Sequence, residues 1–144
     1  MRLIAIPALE RNMIGIWSDH ARRFLLVLAG LTTPVFAIPI ALIPLRWARL
    51  MLWRPPEDRD LAVYFGRCLG AFILIVEFLM FRSALTGEGL RIAFECITLV
   101  WVFMIVVHVV GAVEGRQPIT ETLEIGLWAL LLALTGLFWP ISAR

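Results

Sequence analysis

Residues 92–112 read IAFECITLVWVFMIVVHVVGA, and this stretch decides the fold class. One carboxylate, Glu95, and one imidazole, His108, interrupt an otherwise apolar or small-residue run. An α-helix needs about 20 apolar residues to cross the hydrocarbon core of a bilayer. Backbone N–H and C=O groups find no water there, so such a run crosses as a helix that bonds internally. Working outward, residues 61–81, 123–140 and 24–45 form comparable runs. Short connections around Gly87 and Gly89, and around residues 115–118, force antiparallel neighbours. The sequence therefore predicts an all-α membrane protein, a four-transmembrane-helix bundle forming a single integral membrane domain over residues 1–144.

The composition agrees. The chain is 61% hydrophobic with a mean hydropathy of +0.91, against about 45–50% apolar for a soluble domain. Too little chain lies outside the four runs to form a soluble catalytic domain. All 13 basic residues are Arg, a usage typical of a GC-rich bacterial genome, and the net charge is only +2. Nucleic-acid binding wants a basic face on a soluble fold, and none is present. Cys68 and Cys96 both lie in apolar runs, where two small buried residues are expected rather than a disulfide.

Residues 1–22 are expected to form an interfacial amphipathic helix. Leu9, Met13, Ile16 and Trp17 share one face, while Glu10, Arg11, Asn12, Ser18 and Asp19 fall mostly on others. Val35-Phe36-Ala37 loosely resembles a signal cleavage site, but residues 38–45 continue the apolar run, so no cleavage is expected. The first span carries Thr32, Thr33, Pro34, Pro39 and Pro44. Each interior proline lacks a donor and clashes with the carbonyl four residues back. These carbonyls belong to Gly30, Val35 and Ile40. A bend or break is predicted around Thr33, Pro34 and Pro39, with threonine hydroxyls covering the freed groups. Arg46, Trp47, Arg49, Trp53 and Arg54 follow, then Pro55 and Pro56; they read as a short surface helix at the headgroup level, ended by the prolines. Ala62, Gly66 and Gly70 recur every fourth residue in the second span, which lets another helix approach closely.

Ionisable groups inside spans are costly and normally face the bundle interior. Two polar layers are predicted from matched depths. One holds Glu77 and Glu95, flanked by Arg82 and Arg91. The other holds Arg67 and His108, with Glu114, Glu121 and Glu124 nearby along the chain. At about 100° per residue, Glu95 and His108 sit about 140° apart on their helix. They cannot form one wire. His108 shares its face with Ile97, Trp101, Met104 and Gly111. In the fourth span Glu121, Glu124, Trp128, Leu131 and Thr135 form one stripe that should face the bundle.

No metal is predicted, because a di-iron carboxylate bundle wants Glu-x-x-His pairs and this chain has only His20 and His108. Haem on His108 is equally weak. No cofactor beyond bound lipid is expected. Expected partners are membrane lipids and other membrane subunits or a second copy. The leading expectation is a small accessory or assembly subunit of a larger bacterial membrane complex. The alternatives are a proton-coupled transporter, dimeric in form, or an intramembrane enzyme acting on a lipid or quinone near His108. The expected location is the bacterial inner membrane, with cytoplasmic termini because Arg22 and Arg23 flank the first span.

Overall fold

The structure is a computed structural model and describes residues 13–141. It is all-helical, with four helices long and apolar enough to cross a membrane: Ser18–Leu42, Asp60–Thr86, Leu90–Val113 and Ile119–Leu137. The first is composite. A 3₁₀ turn (Ser18–His20) leads into α1 (Ala21–Thr32), then a π-helical segment (Thr33–Ala37), then α2 (Ile38–Leu42). A short α3 (Pro44–Leu50) lies between the first and second spans. The remaining spans are α4 (Asp60–Thr86), α5 (Leu90–Val113) and α6 (Ile119–Leu137).

The predicted amphipathic helix over 1–22 is corrected where it is described. Residues 1–12, with Leu9, Glu10, Arg11 and Asn12, lie outside the described residues. Residues 13–17 form turns, Ser18–His20 is 3₁₀, and Ala21 and Arg22 already belong to α1. A positive φ of 75° at Gly15 turns the chain. Its N–H then bonds Gly136 O at 2.8 Å, and Trp17 N–H bonds Leu137 O at 2.9 Å. The backbone thus ties itself to the end of α6 instead of coiling along an interface.

The first span departs from a plain helix where its prolines predict. Pro34 sits at the start of the π segment. A π turn inserts a residue, which relieves the clash and lets the helix continue. Pro39 cannot donate to Val35 O, and the indole N–H of Trp47 fills that role at 2.9 Å. The expectation that threonine hydroxyls cover the gap is therefore corrected. Thr32 Oγ1 instead lies 2.8 Å from Leu28 O and 2.6 Å from Glu77 Oε1. The sharper break falls at Ile43 (φ −134°, ψ 51°), because the residue before a proline is pushed out of the α region. Pro44 then opens α3, where its missing N–H costs nothing. This helix stops at Leu50, short of Pro55 and Pro56.

The near end of the bundle, where Gly15 and Trp17 meet the end of α6, is well packed. Leu25, Phe94 and Ile97 are fully buried among Ala21, Leu28, Ala29, Met80, Ala84 and Ala93. Gly87 ends α4 in the left-handed conformation at φ 81°. Arg22 donates to Ala84 O at 2.8 Å and Leu85 O at 2.6 Å. A cation is well placed there, against the negative end of the α4 dipole.

Toward the far end the bundle divides into two pairs. The Ala62/Gly66/Gly70 face of α4 meets the second half of the first span, as its spacing predicts. A Cβ on Gly66 would fall 2.5 Å from Pro44 Cβ. A Cβ on Gly70 would fall 2.5 Å from Ala41 Cα. Between helices in a bilayer, association rests on close van der Waals packing, which small residues permit. The other pair is the α5–α6 hairpin, where Trp101 stacks on Trp128 with centroids 5.3 Å apart. Trp101 Nε1 donates to Thr135 Oγ1 at 3.0 Å, and Thr135 donates to Leu131 O at 2.7 Å. Both tryptophans and Thr135 are buried, so the Glu121–Thr135 stripe faces inward as expected.

A candidate intramembrane polar site under an apolar cavity

The two pairs part toward the far end and leave a cavity of about 570 Å³ between them. Its walls include Phe36, Ile40, Leu69, Ile73, Met104 and Trp128. Polar side chains reach it in two places: Thr32 with Glu77 toward the middle, and His108 with Glu121 and Glu124 at the far end. The loop after α3 covers the far end with Trp53, Arg54, Pro55 and Pro56.

The far-end group is built by the α5–α6 turn. Pro118 is extended (ψ 162°) and starts α6 at Ile119. Glu121 and Glu124, three residues apart, then lie on one face of the first turns. Gln117 braces the turn, donating to His108 O at 2.9 Å and Thr122 Oγ1 at 3.0 Å. It occupies the space a Cβ on Gly111 would need, so a larger residue there would push the Gln117 amide aside. On α5, His108 is only 4% exposed. Its Nε2 lies 3.0 Å from Glu121 Oε2 and 3.4 Å from Glu124 Oε2. Its Nδ1 lies 2.6 Å from Met104 O. A carbonyl only accepts, so Nδ1 carries a proton and donates. Glu121 is held from its other side: Trp53 Nε1 donates to its Oε1 at 2.6 Å. Thr120 Oγ1 donates to Met51 O at 2.5 Å, so the covering loop and α6 are fastened together.

The middle group is smaller. Glu77 is buried and 2.6 Å from Thr32 Oγ1, while its Oε2 and the nearby Thr33 Oγ1 have no partner among the described residues. The carboxyl thus sits against the irregular part of the first span, where the helix is π rather than α.

The predicted layers are regrouped accordingly. Glu95 does not join Glu77. The inward face of α5 is Phe94, Ile97, Trp101 and His108. Glu95 is turned about 100° from Phe94 and pairs on the surface with Arg91 at 3.0 Å. Arg82 pairs with Glu88 at 2.9 Å, also exposed. Arg67 does not reach His108. It is the next residue after inward-facing Gly66, so its side chain is carried outward to a shallow groove beside residues 42–46 and is exposed. Glu114 lies past the end of α5 and meets Arg116 at 3.4 Å. Matched depth paired Arg67 with His108 and Glu77 with Glu95, and rotation about each helix excludes both pairs, whereas the short α5–α6 connection brings Glu121 and Glu124 to His108. Sequence reasoning missed Gln117 and Trp53 as parts of the site. Only the small residue at 111, opposite a polar residue in a short turn, gave any signal.

Comparison with protein-family models, with curated proteins and with solved structures finds no match for this chain.

Proposed function

We propose that the protein is an intramembrane enzyme that takes an amphiphilic molecule of lipid or quinone type into its cavity and acts on the polar end at His108, Glu121 and Glu124. The carrying observation is the combination of an apolar cavity of about 570 Å³ with largely buried acid–base groups gathered at one end. Binding sites for small molecules are typically about 300–1,000 Å³, mostly apolar, with a few placed polar groups. Imidazole and carboxylate side chains are the usual general acids and bases. An accessory-subunit role would leave these clustered groups without a task, so the enzyme reading takes precedence over it. In this reading the membrane is a bacterial inner membrane, with the near end cytoplasmic beside Arg22 and Arg23.

The test is direct. Protein purified in mild detergent is extracted with organic solvent, and the extract is analysed by mass spectrometry. One class of amphiphile is expected at about one molecule per chain. Ile73→Trp, which fills the cavity wall, should lose it while the protein stays monodisperse. Extracts of Ile73→Trp indistinguishable from wild type would refute occupancy of the cavity.

One observation favours a second reading. Glu77 and the His108 group are separate titratable stations on one cavity, with the π segment beside the first. Proton-coupled transport would use both. Proteoliposomes carrying a pH-sensitive dye would then show proton movement that Glu77→Gln abolishes. A flat trace for wild type rejects transport.

A further inference from the structure

We infer that His108, Glu121 and Glu124 form a three-ligand site for a divalent first-row transition ion of the Zn²⁺ or Fe²⁺ type. This deepens the enzyme reading by naming what lies at the polar end of its cavity.

Nδ1–H of His108 is committed to Met104 O at 2.6 Å, so in the neutral ring Nε2 presents its lone pair. That lone pair faces two carboxylate oxygens, 3.0 and 3.4 Å away. A lone pair against two anions in a buried place is repulsive unless a cation or proton lies between them. A proton shared by hydrogen bonding fits poorly. Nε2 is buried and makes no hydrogen bond to either oxygen. A shared metal needs no such bond. With metal–ligand bonds of about 2.0–2.2 Å, an oxygen 3.0 Å from the nitrogen must sit off the ring axis, beside the metal rather than in line with it. The donor atoms all lie within 4.8 Å of one another, compact enough to surround one ion.

Charge and support agree. Among the described residues no arginine lies within ion-pair distance of Glu121 or Glu124. Two largely buried carboxylates without a cation are costly inside a membrane. One divalent ion with a neutral imidazole makes the group neutral. The partners of the ligands are those a metal site needs. A ligating histidine usually donates its other N–H to a carbonyl or carboxylate, as His108 does to Met104. A ligating carboxylate is usually hydrogen-bonded in turn, as Glu121 is by Trp53 at 2.6 Å. An imidazole donor selects a transition ion over Mg²⁺ or Ca²⁺, which prefer oxygen ligands throughout. Three protein ligands leave a position open toward the cavity, the arrangement of catalytic rather than structural sites. The Glu-x-x-His pattern on which the sequence expectation of no metal rests misses this group, because His108 comes from α5 and both glutamates from α6.

The test is a titration of the full-length, chelator-stripped protein in detergent with Co²⁺, a coloured stand-in for Zn²⁺. One Co²⁺ per chain should bind, with visible ligand-field bands that Zn²⁺ removes and Mg²⁺ does not. Tryptophan emission should fall on binding, because the Trp128 ring centre is 5.9 Å from that of His108. His108→Ala and Glu124→Gln should each weaken binding at least about 100-fold, more than the usual loss of an outer-shell partner. His20→Ala and Glu95→Gln should leave it unchanged. Binding that survives both site substitutions, or wild-type protein with no stoichiometric Co²⁺ and no quenching, overturns the inference. If the site variants fail to fold, wild-type stoichiometry and quenching decide alone. No amphiphile enters the titration. Protein that takes up no Co²⁺ yet carries its amphiphile refutes this inference and leaves the cavity reading intact. Metal-loaded protein without an amphiphile does the reverse.

Discussion

At the residue scale, the far-end site shows how much one side-chain contact can set. His108 is oriented by a backbone carbonyl four residues back on its own helix, so its ring direction is fixed by α5 and not by the glutamates. Glu121 has no such local support and depends on Trp53, which is distant in sequence. Trp53→Phe keeps the ring's bulk and removes the N–H. It should weaken Co²⁺ binding about 10–100-fold, the usual effect of losing an outer-shell hydrogen bond, with little change in thermal stability. A titration curve overlapping wild type would remove Trp53 from the site. His108→Gln tests the centre itself. A Gln side chain can still reach Met104 O, so the fold should survive while metal binding and any amphiphile turnover are lost. Retained turnover would make the His108 group purely structural.

At the element scale, glycine and proline decide where helices approach and where they bend. Gly70 meets backbone atoms of Ala41, which cannot swing aside as a flexible side chain would. Gly70→Leu must therefore push α4 from α2, at a cost of about 1–3 kcal/mol or more. Leu69→Ala, at an exposed position one residue earlier, should change stability by less than about 0.5 kcal/mol. Thermal unfolding in detergent gives the comparison, and equal losses would show that close approach is not the function of this face. The first span offers a sharper case. Trp47→Phe leaves Val35 O without its indole donor and should cost about 1–3 kcal/mol. In a Pro39→Ala background a backbone N–H is restored four residues on. The same substitution should then cost less, a non-additivity that a double-mutant cycle reads directly. The bend was legible because proline acts through the local backbone. The indole that covers the freed carbonyl was not, since it arrives only when α3 folds back.

At the scale of the whole molecule, two helix pairs converge at the near end and diverge at the far end. Arg22 and the Leu25–Phe94–Ile97 packing fasten the near end. The covering loop and the α5–α6 turn close the far end without filling it. This architecture puts Asp19 and Glu88 at one end and Asp58 and Arg116 at the other. After Cys68 and Cys96 are replaced by Ser, single cysteines at Asp19 and Glu88 should react with an impermeant maleimide from one face of the membrane. Cysteines at Asp58 and Arg116 should react only from the opposite face. Labelling of Asp19→Cys and Asp58→Cys from the same face would break the four-span topology.

Long apolar runs by themselves determined the number of spans, their antiparallel order and the approach of the Gly66/Gly70 face. Bilayer thickness and backbone hydrogen bonding leave a run such as 92–112 one outcome, and small residues at fixed spacing act within a single helix. The stripes on α5 and α6 were equally legible, because helical periodicity is local. Tertiary structure alone decided which polar groups meet. Glu77 turns to the π segment while Glu95 and Arg67 turn outward, since depth along a helix is written in the sequence but rotation against a neighbour depends on packing. For the same reason the His108, Glu121 and Glu124 donors became one group only when α6 packed back on α5, with Gln117 bridging the turn to His108 O.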